Sequence, residues 1–168
     1  MAKKYSNKIK YLAIWTTLLL GSTPCFAQDT LTPFTLLDQQ DHPHAIAFPA
    51  HKPCILIIGD RDSANQAKEW GASLGLQLKD KVTYIAIAAM GGVPELFRGF
   101  AKGSINNPRP TLLDWDNKIS TPLGLEPKQC LVILTNKTGT ILTTQKGPLT
   151  PEKLQQLVVK FQKLIDPH

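Results

Sequence analysis

Apolar residues in this chain follow two patterns, and each predicts a different kind of element. Three runs are short and nearly unbroken: Cys54–Ile58 (CILII), Val82–Ala89 (VTYIAIAA) and Cys130–Leu134 (CLVIL). Runs of this length, rich in β-branched residues and bounded by turn residues, predict strands buried on both faces. Elsewhere the apolar residues recur every three or four positions. Ala64, Ala67, Trp70 and Leu74 do so after Ser63, predicting an amphipathic helix whose unpaired first-turn N–H groups the Ser63 hydroxyl is placed to cap. Asp62 adds negative charge at the positive end of that helix dipole. A second helix is predicted over Val93–Lys102, with Pro94 in its first turn, Leu96, Phe97, Phe100 and Ala101 as its inner face, and Gly103 closing it. A third starts at Thr150, Pro151 and Glu152 and carries a stripe of Leu154, Leu157, Val158, Phe161, Leu164 and Ile165.

The remaining segments read as extended chain and turns. Thr32–Phe48 predicts a hairpin or extended arm, with turn chemistry at Asp38–His44. Pro49–Pro53 is a connector and Asn106–Pro110 a loop. Thr111–Trp115 is a short strand with Asp114 and Asp116 at its end, followed by an irregular stretch from Ser120 to Lys128. Asn136–Gly139 is a hairpin turn, with Gly139 able to take positive φ, and Thr140–Thr144 returns as the partner strand. Two apolar runs separated by a helix imply a parallel pair.

Charge changes the picture at the N-terminus. Lys3, Lys4, Lys8 and Lys10 precede the apolar stretch Tyr11–Leu20, and Gly21–Ala27 is small and turn-prone. This layout predicts a secretory signal peptide over residues 1–27, cleaved after Ala27, leaving one domain over 28–168. The apolar stretch is short for a membrane span. The whole chain has 19 basic and 13 acidic residues, but those four lysines fall within the signal, so the remainder is close to balanced. No cluster of Lys and Arg with interleaved aromatics follows, which argues against a nucleic-acid partner. Cys25 follows Ser22-Thr23-Pro24, a poor lipoprotein signal, so the exported chain retains Cys54 and Cys130.

Several constellations are candidates for chemistry. Asp60, Arg61, Asp62 and Ser63 sit at a helix start and read either as capping plus a surface ion pair or as a polar recognition loop. Two carboxylates there oppose a phosphate role. A cation held by Asp60 and Asp62 with Asp114 or Asp116 lacks the spacing to gather several oxygen ligands. His42 and His44 flank Pro43 in a turn with no third ligand near, and His51 and His168 complete no Ser–His–Asp triad. Neither a metal nor a cofactor is expected.

The order hairpin, β, α, β, α, short β, β-hairpin, α resembles the thioredoxin-like, or redoxin, superfamily. The echoes are Phe34-Thr35-Leu36-Leu37-Asp38, Pro110-Thr111-Leu112-Leu113-Asp114, Gly124-Leu125 and Asn136-Lys137-Thr138-Gly139, whose order carries the match. The resemblance implies an α/β, three-layer thioredoxin-like fold: a central mixed sheet, an N-terminal β-hairpin and helices on both faces. Active members carry a Cys-x-x-Cys pair or a single peroxidatic Cys after the central strand. Here that place reads Ser63-Ala64-Asn65-Gln66, and the family's cis-proline falls on Gln129 or Cys130. Gly59-Asp60-Arg61-Asp62-Ser63-Ala64 is similar to the loop of the exported YtfJ-type branch, which lacks the cysteine pair.

In that arrangement Cys54 and Cys130 begin antiparallel neighbouring strands, so a disulfide between them is excluded. The resemblance also places Cys130 near the Asp60–Ser63 loop, where the positive helix end favours thiolate. The expectation is therefore a periplasmic or secreted protein without the redox pair. It would bind a periplasmic protein or small molecule through Asp60, Arg61, Asp62, Ser63, Pro110 and the Cys130 region, without membrane insertion once the signal is removed. The alternative is a thiol-dependent antioxidant or peroxidase-like enzyme using Cys130 alone.

Overall fold

The computed structural model describes residues 30–165; the expected signal segment, residues 1–27, lies outside them. A two-stranded antiparallel hairpin comes first, β1 (Phe34–Leu37) and β2 (Pro43–Ile46). Then follow β3 (Cys54–Gly59), α1 (Ala64–Leu78), β4 (Thr83–Ala89), α2 (Arg98–Gly103), β5 (Thr111–Asp114), β6 (Leu131–Thr135), β7 (Ile141–Lys146) and α3 (Pro151–Ile165). The last five strands form one mixed sheet in the order β5-β4-β3-β6-β7. β3, β4 and β5 run parallel, while β6 and β7 are antiparallel to their neighbours.

The central strands explain their own burial. All six residues of β3 and all five of β6 are buried, as their unbroken apolar runs require. Alternation then sorts their side chains by face. Ile55, Ile57, Val132 and Leu134 meet Trp70, Leu74, Leu157 and Phe161, so α1 and α3 cover that face together. Trp70 is fully buried and donates its indole N–H to the Gly147 carbonyl at 3.0 Å, tying α1 to the turn before α3. Leu56, Ile58, Leu131 and Ile133 form the other face. There they meet Phe34, Leu36 and Ile46 of the hairpin and Ile119, Leu123 and Leu125 of the turns after β5. The principal cover on this side is the hairpin and those turns rather than a long helix.

The β6–β7 turn follows its expected chemistry. The Asn136 side-chain carbonyl accepts the N–H groups of Thr138 and Thr140, both at 2.9 Å. Gly139 has φ +88°, and a Cβ there would meet the Phe48 ring at 2.9 Å, so both conformation and space exclude a side chain.

The region after β4 differs from expectation. A continuous helix over Val93–Lys102 with a buried face does not form. Pro94 has ψ 145°, a 3-10 turn covers Glu95–Phe97, and α2 begins only at Arg98. Leu96, Phe97 and Phe100 are 87%, 56% and 82% exposed, the reverse of an inner face. The late start leaves too short a helix to carry a stripe across the sheet, and the hairpin and turns already occupy that face. The contacts of α2 come from its cations. The Arg98 guanidinium lies 5.1 Å from the Trp115 ring centroid and 3.7 Å from Asp116, and Lys102 pairs with Asp41 of the hairpin at 2.5 Å.

Candidate functional site

The corner at the C-terminal end of β3 is organised by Asp60. The chain leaves β3 at Gly59, makes one polar turn and enters α1. Ser63 occupies the cap position and is fully buried, yet it makes no side-chain bond to a helix N–H. This corrects its expected capping role. Its hydroxyl faces backward, accepting the Asp60 N–H at 2.9 Å and donating to Asp60 Oδ1 at 2.7 Å. Asp60 Oδ1 also accepts the Ser63 N–H at 2.8 Å, and Oδ2 accepts the Lys128 N–H at 2.8 Å. The carboxylate thus engages the Ser63 hydroxyl that would otherwise be free to cap α1, and it ties the loop to the strand entering β6. Burial pushes the Asp60 carboxyl up, but the bonds from Lys128, Ser63 and the Asp62 N–H outweigh it and hold the group below its usual range.

Gln66 completes the tie, and sequence reasoning missed its role. Its side-chain N–H donates to the Lys128 carbonyl at 3.1 Å and its carbonyl accepts the Cys130 N–H at 3.1 Å. Lys128 sits at φ +62°, a strained position for a side-chain-bearing residue, with N–H and carbonyl both engaged from the α1 side. The only advance signal was position: Gln66 lies one turn inside the helix, where the second cysteine of a redox pair stands in the family it resembles.

Cys130 lies beneath this corner with no exposed surface. Burial, and then the Asp60 negative charge, push its thiol up to about 12. The positive helix end therefore does not produce the thiolate expected from proximity, because burial, and then the Asp60 charge, favour the neutral thiol. Cys54 is also buried, and burial raises its thiol. Both cysteines are free. Cys54 pairs with Thr135 at one end of β6, while Cys130 precedes Leu131, which pairs with Ile58 at the other end.

The remaining candidates do not all converge. Arg61 and Asp62 are exposed, and neither forms an ion pair among the described residues, so the expected surface ion pair is absent. Pro110 does not join the corner: it precedes β5, whose first residue Thr111 is level with Ala86 and hence with Ile57 in the middle of β3. It lies beside Gln39, whose side chain bonds Arg109 O and Thr111 N. The other carboxylates are engaged separately. Asp114 is buried and accepts the Ser120 hydroxyl at 2.6 Å and the Ser120 N–H at 2.7 Å, while Asp116 pairs with Lys118. The histidines are not simply solvated: His44 Nε2 lies 2.8 Å from Asp38, which is 2% exposed. Burial pushes the Asp38 carboxyl up, but that contact and the N–H groups of His42 and Gln40 bring it down to about 2.

No family model and no curated protein matches the sequence. Solved structures match in fold. One is an exposed lipoprotein thioredoxin of Streptococcus pneumoniae, at 15% identity and TM-score 0.59, covering 77% of this chain and 99% of that one. A second is a secreted Mycobacterium tuberculosis disulfide oxidoreductase homologous to E. coli DsbE, at 21% and 0.53, covering 78% and 96%. A third is the peroxidoxin BcpB of M. tuberculosis, at 11% and 0.53, covering 81% and 96%. At these identities the likeness establishes a thioredoxin-like α/β fold: a mixed five-stranded sheet with helices and an N-terminal hairpin.

Proposed function

We propose that this chain is an exported, YtfJ-type thioredoxin-fold protein of the periplasm, one domain over residues 28–168, that binds a partner rather than exchanging disulfides. The observation that carries this reading is the state of Cys130: fully buried, with its thiol pushed up to about 12 by that burial and then by the charge of Asp60, a carboxylate already engaged by the loop and the β6 entry. A thiol held neutral is a poor nucleophile. The binding surface in this reading is the end of the sheet where β3 and β4 terminate. It offers the exposed Arg61 and Asp62 with the apolar Leu96, Phe97 and Phe100, a combination of charge and large exposed side chains that marks interaction surfaces. No helix among the described residues is long and apolar enough to cross a membrane.

The competing reading, a thiol-dependent antioxidant using Cys130, draws on the likeness to a peroxidoxin, and at 11% identity that likeness carries fold alone. A thiol-reactive probe at neutral pH separates the two. The expected result is no labelling of Cys130 in folded protein, with or without peroxide, and full labelling after denaturation. Rapid, peroxide-sensitive labelling would restore the enzyme. Photo-crosslinking from position 97 in periplasm, with Arg61→Ala and Phe100→Ser variants, tests the surface. The expected result is a discrete adduct that both substitutions weaken, and an unchanged adduct pattern would remove this face from the proposal.

A further inference from the structure

A second concave feature lies at the other end of the sheet, where β3 and β4 begin. A solvent-open pocket of about 420 Å³ lies there between the C-terminal end of α1 and the segment entering β5. Its charged lining is uneven: Lys52, Lys79 and Arg109 face one carboxylate, Asp80. The lysines do not serve the helix end alone. The Lys79 backbone N–H caps the Gly75 carbonyl, and Lys52 Nζ covers the Asp80 carbonyl. The Lys79 ammonium and the Arg109 guanidinium have no hydrogen-bond or ion-pair partner among the described residues.

Gly75 and Arg109 shape the rim of this pocket. Gly75 lines it, and a Cβ at that position would meet nothing within 4 Å. A glycine inside a helix costs about 1 kcal/mol relative to alanine, and here packing gives no reason for it. Arg109 is clamped through its backbone: its N–H donates to Asn107 Oδ1 and its carbonyl accepts the Gln39 side chain, both at 3.1 Å. Its charge reaches the cavity wall. Burial raises the Tyr84 phenol, and the Arg109 charge opposes that rise. Tyr84 donates to the Leu74 carbonyl at 2.9 Å, which leaves its ring, with Val82, as an apolar wall.

We propose that this cavity binds a small organic dianion of the phosphomonoester class. Three cations face one carboxylate and the negative end of the α1 dipole, which leaves a positive surplus for an anion to balance. The guanidinium fork matches two oxyanion oxygens, and the lysines add point charge. The Tyr84 and Val82 wall takes the organic remainder. The inference is independent of the partner-binding surface, which lies at the opposite end of the sheet.

Glycerol 3-phosphate is the probe. In ¹H–¹⁵N NMR titration of the purified protein at low salt, the Gly75 and Tyr84 amides are expected to shift saturably, with Kd below about 1 mM. Glycerol, and sodium chloride at matched ionic strength, are expected to leave them unmoved. The double substitution Arg109→Gln with Lys79→Gln is expected to weaken binding at least about tenfold at unchanged Tm. Gly75→Leu is expected to raise Tm, because it favours the helix, and to abolish binding by filling the cavity. The proposal is overturned if glycerol 3-phosphate gives no saturable shift, if chloride reproduces it, or if either variant binds as the parent does.

Discussion

α2 and α3 carry the same kind of sequence pattern and meet opposite fates. Each has a proline at or shortly before its start and apolar residues at helical spacing, a pattern that predicts a buried face. In α3 the stripe lies inside: Leu157 and Phe161 are fully buried, and Leu154 and Val158 pack against the same core. In the α2 region the stripe faces outward and the cations Arg98 and Lys102 make the attachments. Periodicity states that a face exists. Whether that face is covered depends on whether neighbouring elements leave room for it.

The substitution that tests this contrast hardest is Phe161→Ala, expected to cost about 3–5 kcal/mol in denaturant unfolding, because it empties a filled core position. Thr150→Ala is next, at about 1 kcal/mol. Here the cap works as the sequence implies, with the Lys153 N–H donating to the Thr150 hydroxyl and the Leu154 N–H to the Thr150 carbonyl. Arg98→Ala is expected to cost about 0.5–1 kcal/mol and to raise local amide exchange over residues 95–103, since it removes the contact on Trp115.

Acid should loosen both helices. Glu152 is held below its ordinary 4.5 by its own backbone N–H and the Thr150 hydroxyl, and Asp116 below 3.8, chiefly by Lys118. Carboxyls with depressed folded-state values stabilise fully above their unfolded values. That contribution is lost as pH falls from about 4.5 downward, and an acid titration of helix signals by NMR checks it. Leu96→Ser and Phe100→Ser should change stability by less than about 0.5 kcal/mol. A loss approaching that of Phe161→Ala would place the α2 stripe in a core and end the contrast.

The corner near Asp60 repeats the lesson at the scale of single side chains. Ser63 was legible as the residue before a helix, and it holds that position. The direction of its hydroxyl was not legible, because Asp60, three residues back, takes that hydroxyl as its own donor. Gln66 gave no composition signal. Its role appears only when the strand after Lys128 passes within reach. Pro110 was grouped with the corner through its place in a motif, and the register of β5 sets it on the edge strand, just before a residue level with the middle of β4. The Cys130 environment was half legible: its neighbourhood followed from strand order, while its protonation depends on the burial and negative charge that the fold brings to it.

By itself the sequence determined the strands, the hairpin turns and the start of α3. These rest on interactions between residues a few positions apart: alternation, capping and the positive φ open to glycine. Only the tertiary structure decided which apolar stripe would be covered, where Asp60 would spend its lone pairs, and that Lys52, Lys79 and Arg109 would share one cavity. Those outcomes depend on segments distant along the chain competing for the same space and the same donors, and no local pattern records that competition.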